Sequence, residues 1–210
     1  SIEAQNVSSP SKTISLSFKL SSDGKPTYSV SYKSKPIVKE STLGIAIKES
    51  KSLETNFRID NIDQKSFNET WQPVLGEQSN IKNSYNEMTV ALSQPSTDRR
   101  INIIFRVFDE GIAFRYEFPK QKNLNYFIIS DEKSQFNLAG NHKTFWIPGD
   151  YDSQEYAYNE TKLSEIDNSK LDLNNGIGVK TIASSFRVQS PLMMKSADGI
   201  YIIIFEAAVF

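Results

Sequence analysis

Apolar and polar residues alternate with a period of two along most of this chain, which is the signature of half-buried β-strands. Ile14, Leu16, Phe18 and Leu20 alternate with Ser15, Ser17 and Lys19. Ser22-Asp23-Gly24 turns the chain, and Tyr28, Val30 and Tyr32 alternate on the way back, so a hairpin is predicted. Short strands follow from Lys35-Pro36 and over residues 43–47, and a polar stretch, 48–56, separates them from Phe57-Arg58-Ile59. Pro73 and Gly76 mark a loop. After it comes a strand in which Tyr85, Glu87, Thr89 and Ala91 oppose Met88, Val90 and Leu92.

The densest apolar stretch is residues 100–119, read as two strands around the turn Asp109-Glu110-Gly111, with Gly111 supplying a positive φ and Pro119 ending the ladder. In its first strand Ile101, Ile103, Phe105 and Val107 share one face while Ile104 and Phe108 lie on the other, so burial on both faces is expected. Arg106 and Arg115 then need partners, for which Glu87 and Glu117 are at hand. Further short strands are predicted over residues 126–129 and 144–147, ended by Pro148-Gly149. Residues 159–167 read as one or two helical turns with Asn159 as N-cap and Leu163 and Ile166 facing inward. Residues 168–180 read as loop. A closing hairpin joins 190–195 to 199–209 through Ala197-Asp198-Gly199. Many strands, almost no helix and no βαβ alternation predict an all-β chain, a large antiparallel β-sandwich with at most one or two short helices.

Composition narrows the function. At 210 residues the chain can bury roughly 70% of its unfolded surface, and a single domain over residues 13–210 behind a polar lead-in, 1–12, is the reading adopted. With 24 basic against 25 acidic residues and a pI near 5.9, nothing favours nucleic acid or an anionic membrane. Cysteine is absent, which excludes disulfides, thiolate metal sites and a cysteine nucleophile. No apolar run approaches the ~20 residues of a membrane span. The start lacks Met and reads as what remains after a targeting segment is removed. The apolar run to Phe210 reads as the cut end of one domain of a longer protein.

Chemistry-bearing motifs are few. His142 is the single histidine, too few for a histidine-rich zinc site, and a solvated surface role is expected for it. Gly176-Ile-Gly178 lacks the third glycine and the context of a dinucleotide site. Asp150-Tyr-Asp152-Ser-Gln-Glu155 clusters carboxylates without the glycine and terminal glutamate of an EF-hand loop, so a plain acidic loop is favoured over a calcium site. Trp146, Tyr151, Tyr156 and Tyr158 surround it; exposed, such rings stack on sugars, and buried, they are core, the reading preferred here. Trp146, Asp150, Tyr151 and Glu155 are therefore the candidate substrate contacts. Glu206 stands between Ile202-Ile-Ile-Phe205 and Ala207-Ala-Val-Phe210, where a carboxylate is costly unless paired, bound to a cation or turned to water.

Four stretches, WQPVLGEQSNIKNSYNEMTVAL, FRVFDEGIAFRYEFP, FWIPGDYDSQEYAY and DGIYIIIFEAAV, together resemble the N-terminal domain of glycoside hydrolase family 97, over residues 14–210. The resemblance points towards its starch-utilisation α-glucosidases. It implies a β-super-sandwich that precedes a (β/α)₈ catalytic barrel and a small C-terminal β domain, in a periplasmic enzyme acting on oligosaccharides as an inverting α-glucosidase or a retaining α-galactosidase. The catalytic carboxylates belong to the barrel, so none is expected here. The resemblance further implies an active-site calcium ion held by barrel glutamates and by one glutamate of the N-terminal domain in an F/H-E-A-A motif. In this chain that residue is Glu206.

Overall fold

The structure, a computed structural model, describes residues 3–171 and 186–206. Gly176, Gly178 and the tail Ala207 to Phe210 lie outside the described residues. The fold is all-β: fourteen strands and three single 3₁₀ turns among the described residues. Where the sequence reading takes 13–210 as one domain, the chain divides into two compact units, 1–139 and 140–210. The expected polar lead-in contains a strand, β1 (Gln5–Ser8), that pairs with the next.

In the first unit, β1, β2 (Ile14–Leu20), β3 (Pro26–Tyr32) and β4 (Lys35–Thr42) form one antiparallel sheet in sequence order. β5 (Ile45–Ile47) pairs with the distant β10 (Ile129–Glu132). The second large sheet is β6 (Arg58–Trp71), β7 (Ile81–Gln94), β8 (Arg99–Phe108) and β9 (Ile112–Glu117), again in sequence order. The alternating residues of the two sheets meet in one core: Leu16, Phe18 and Tyr28 from the first with Met88, Val90, Ile103 and Phe105 from the second. Phe105 is its hub. Its ring lies 5.8 Å from Phe18, 6.3 Å from Tyr28 and 6.2 Å from Phe114, the tilted packing aromatic quadrupoles favour. Tyr116 ties three segments together: its Oη accepts a bond from Gly44 N at 3.0 Å and exchanges one with Ser134 Oγ at 2.8 Å. Burial pushes its phenol up to about 12.

Four expectations change. Gly111 does not take a positive φ; the β8–β9 loop closes instead through Phe108 N to Gly111 O at 2.8 Å. Gly24 is the glycine that matters, at φ 72 and with backbone atoms of Phe57 2.7 Å from where a Cβ would sit. Residues 60–70, left unassigned by the sequence, continue β6, because the backbone of β7 pairs with them over its whole length. The strand expected at 126–129 begins only at Ile129, leaving Tyr126 exposed in the loop. Finally, β8 is only partly buried on its second face. Ile104 is buried there, while Arg106 pairs with Glu87 at 2.7 Å and lies over the Tyr85 ring.

The second unit holds one four-stranded antiparallel sheet in the order β12 (Asn159–Lys162), β11 (Lys143–Trp146), β13 (Leu192–Lys195), β14 (Tyr201–Ile204). Residues 159–162 are thus strand where helical turns are expected. β11 supplies the ladder partners, against which a short isolated helix cannot compete. Asn159 is no helix cap; it lies opposite Trp146. A 3₁₀ turn follows at Leu163–Glu165, closed by Lys162 N to the Glu165 carboxylate at 3.0 Å, and Ile166 is buried as expected. A second, Asn168–Lys170, stands where loop is predicted.

Candidate functional site

The candidates cluster around the segment that joins β11 to β12. Trp146 ends β11 on the buried face of the sheet, 2% exposed, and its Nε1 donates to Thr161 Oγ1 at 3.0 Å. A ring so enclosed packs and offers no face to a sugar. After Pro148 and Gly149 the chain is held by residues 187–189: Gly149 N donates to Arg187 O at 2.9 Å and Gln189 N to Ile147 O at 3.1 Å.

Asp150 then organises the loop. Its Oδ1 accepts the backbone N–H groups of Asp152 at 2.8 Å and Ser153 at 3.1 Å, and its Oδ2 accepts the Tyr156 hydroxyl at 2.6 Å. Gln189 Nε2 holds the Asp150 carbonyl at 2.8 Å. These are the contacts of a turn-forming aspartate, whose short side chain satisfies its own backbone. The bond to the carboxylate raises the Tyr156 phenol to about 12, since ionising it would place two negative oxygens side by side. Tyr151 projects from the loop, 74% exposed, with its hydroxyl 3.3 Å from the Arg187 guanidinium. Tyr158 and Glu155 are also exposed. Among the described residues, no three histidine or acidic side chains gather as a metal site.

His142 is not a solvated surface residue. It is half-buried with Nε2 buried and unpartnered, and its ring lies over Gly140, where a Cβ would come within 2.8 Å of Cε1. Sequence reasoning had no signal for this, because the space comes from Gly140.

Glu206 follows β14 directly. The strand delivers it to the surface, where the residue is exposed and its backbone N–H donates to Ser190 Oγ at 3.2 Å. A hard, anionic, exposed oxygen donor is of the kind Ca²⁺ takes. One carboxylate falls far short of the six to eight oxygens the ion requires.

A family model described as glycosyl-hydrolase 97 N-terminal matches residues 7–210. Among solved structures, a glycoside hydrolase family 97 enzyme from Pseudoalteromonas sp. strain K8 in complex with panose is 30% identical over 97% of this chain, with a TM-score of 0.83. The enzyme of the same strain in complex with acarbose is also 30% identical over 97%, with a TM-score of 0.82. This chain spans 28% of the length of each. A β-arabinopyranosidase, 21% identical over 98% of this chain and 32% of its own, shares the fold with a TM-score of 0.80.

Proposed function

The chain belongs to glycoside hydrolase family 97, as an N-terminal domain of that family, and from this premise we propose that it is the accessory domain of a longer, periplasmic α-glycosidase. In this reading it packs on a catalytic barrel and completes the active site with one calcium ligand, Glu206. The observation that supports it is the exposure of Glu206 just beyond the apolar strand β14. A bound calcium would polarise and orient the sugar. Glu206 would contribute one of its oxygens, charge included, and the remaining ligands would come from the barrel.

The test uses the full-length polypeptide. Glu206→Gln keeps the size and removes the charge, so calcium affinity measured by calorimetry should fall at least tenfold, and turnover with it, with partial rescue by added calcium. Wild-type affinity and turnover in that variant would make Glu206 an ordinary strand-end glutamate. Hydrolysis of an α-glycoside needs an acid and a base or nucleophile on either side of one bond. The 210-residue chain should therefore release no nitrophenol from nitrophenyl α-glucoside or α-galactoside.

A second reading, a self-sufficient carbohydrate-binding module, is favoured by the exposed rings of Tyr151 and Tyr158. Micromolar affinity of the 210-residue chain for maltooligosaccharide in calorimetry would support it over the first.

A further inference from the structure

We infer that the outer face of β13 and β14 is the surface on which the rest of a full-length polypeptide docks; this rests on the reading above that the domain works inside a longer glycosidase. The sheet of the second unit has two unlike faces. Thr144, Trp146 and Met194 are buried on the inner one. The outer one carries the row Phe145, Met193 and Ile203, in direct register, flanked by Tyr201 and continued by Phe205. Tyr201 is 59%, Ile203 55% and Phe205 63% exposed. Patches of a few hundred Å² of contiguous apolar surface mark interaction sites on a monomer.

The edge is also open among the described residues. Among the described residues β14 pairs with β13 alone, and no backbone bond is made on its other side. Natural sheets blunt such edges with charge, proline or a covering segment, because a bare apolar edge recruits other strands. β14 carries no charge and no proline. The charged residues stand at the rim instead: Lys195 lies 5.0 Å from the Tyr201 ring and Lys143 pairs with Glu160. An apolar centre with a charged rim is the anatomy of a protein interface.

The occupant is the polypeptide that continues from this domain. The solved family 97 relatives devote 28% of their length to the matched region, leaving a far larger body to be seated somewhere. β14 also runs into Glu206, so a surface that receives that carboxylate must lie against the end of the same strand. The face therefore fits a largely apolar surface of the following domain, with acceptors placed for Lys195.

The chain contains no cysteine, so a single thiol introduced at an exposed position reports its own accessibility. Ile203→Cys and, independently, Tyr201→Cys would be made in the 210-residue chain and in the full-length polypeptide. Maleimide labelling of the peptide carrying the thiol is followed by mass spectrometry and normalised to the rate in denaturant. Labelling at least tenfold slower in the full-length protein, and fast in the 210-residue chain at every concentration, is the expected result. Equal fast labelling in both overturns the inference. Protection that rises with concentration of the 210-residue chain assigns the face to a second copy, and protection at every concentration assigns it to the chain itself; either overturns it. Failure of the underlying functional reading shows up separately, as a reading frame that stops after Phe210.

Discussion

Two four-stranded antiparallel sheets in this chain treat their outer faces in opposite ways. On β6–β9 the outward side chains pair or pack within the sheet itself: Asp63 with Lys65 at 2.8 Å, Glu87 with Arg106 at 2.7 Å, Glu117 accepting Asn102 Nδ2 at 2.8 Å, and the rings of Phe67, Tyr85 and Phe108 against one another. On β11–β14 the outward face carries Phe145, Met193, Tyr201, Ile203 and Phe205, with Lys162, Lys143 and Lys195 in the row at one end. The difference lies in what each outer face leaves open: the first largely satisfies its groups within the sheet, while the second presents exposed apolar side chains.

The contrast is broken most decisively by paired truncations. Phe105→Ala, in the core under β6–β9, should cost ~3–5 kcal/mol in urea denaturation, through lost transfer energy and a cavity. Ile203→Ala, at the same chemical level but on the bare face, should change the stability of the 210-residue chain by less than about 0.5 kcal/mol. Comparable losses would mean that the face is covered within the chain. A smaller effect is expected from Trp146→Phe, which removes the donor to Thr161 Oγ1 beneath the second sheet; thermal unfolding should report roughly 1–3 kcal/mol. Loss of sugar affinity with unchanged stability would instead return Trp146 to the list of sugar contacts. Glu87→Gln should cost under about 1 kcal/mol, and less in high salt, because the Arg106 side chain is still 36% exposed.

The smallest effect is confined to alkaline pH. Tyr156 has a folded value of about 12 against an ordinary 10.0. Its bond to Asp150 therefore contributes below pH 10 and is lost as the pH rises through about 12. Absorbance titration should show this phenol ionising late, and Asp150→Asn should bring it back towards the ordinary value.

Strands whose side chains alternate were legible from the sequence, because burial on one face leaves a period of two; β2, β3, β7 and β8 are of that kind. β6 was not. Its residues 60–70 are polar and exposed, and what makes them a strand is the ladder to β7, which no local pattern records. The run Tyr201-Ile-Ile-Ile-Phe205 reads as part of the closing hairpin, and its unbroken apolar pattern does not say which face the chain itself covers. Glu206 stood out as a carboxylate in an apolar run, and only the motif around it suggested an ion. Trp146 and Tyr151, five positions apart, are alike in sequence and opposite in fate, one enclosed by Thr161 and the other turned to solvent.

The closure of the first unit has a consequence in time. The hydroxyl of Tyr28 in β3 donates to the carbonyl of Gln135 at 2.8 Å, 107 residues further along the chain, and β5 likewise waits for β10. At a synthesis rate of about 5–20 residues per second, the two ends of that bond leave a ribosome roughly 5–20 s apart. Hairpin formation takes about 1–10 μs, so the meanders β1–β4 and β6–β9 can assemble as they emerge. During the wait the Tyr28 hydroxyl and the edge of β5 lack their partners from residues 129–135, and a nascent chain stalled in that window is the species a chaperone would meet.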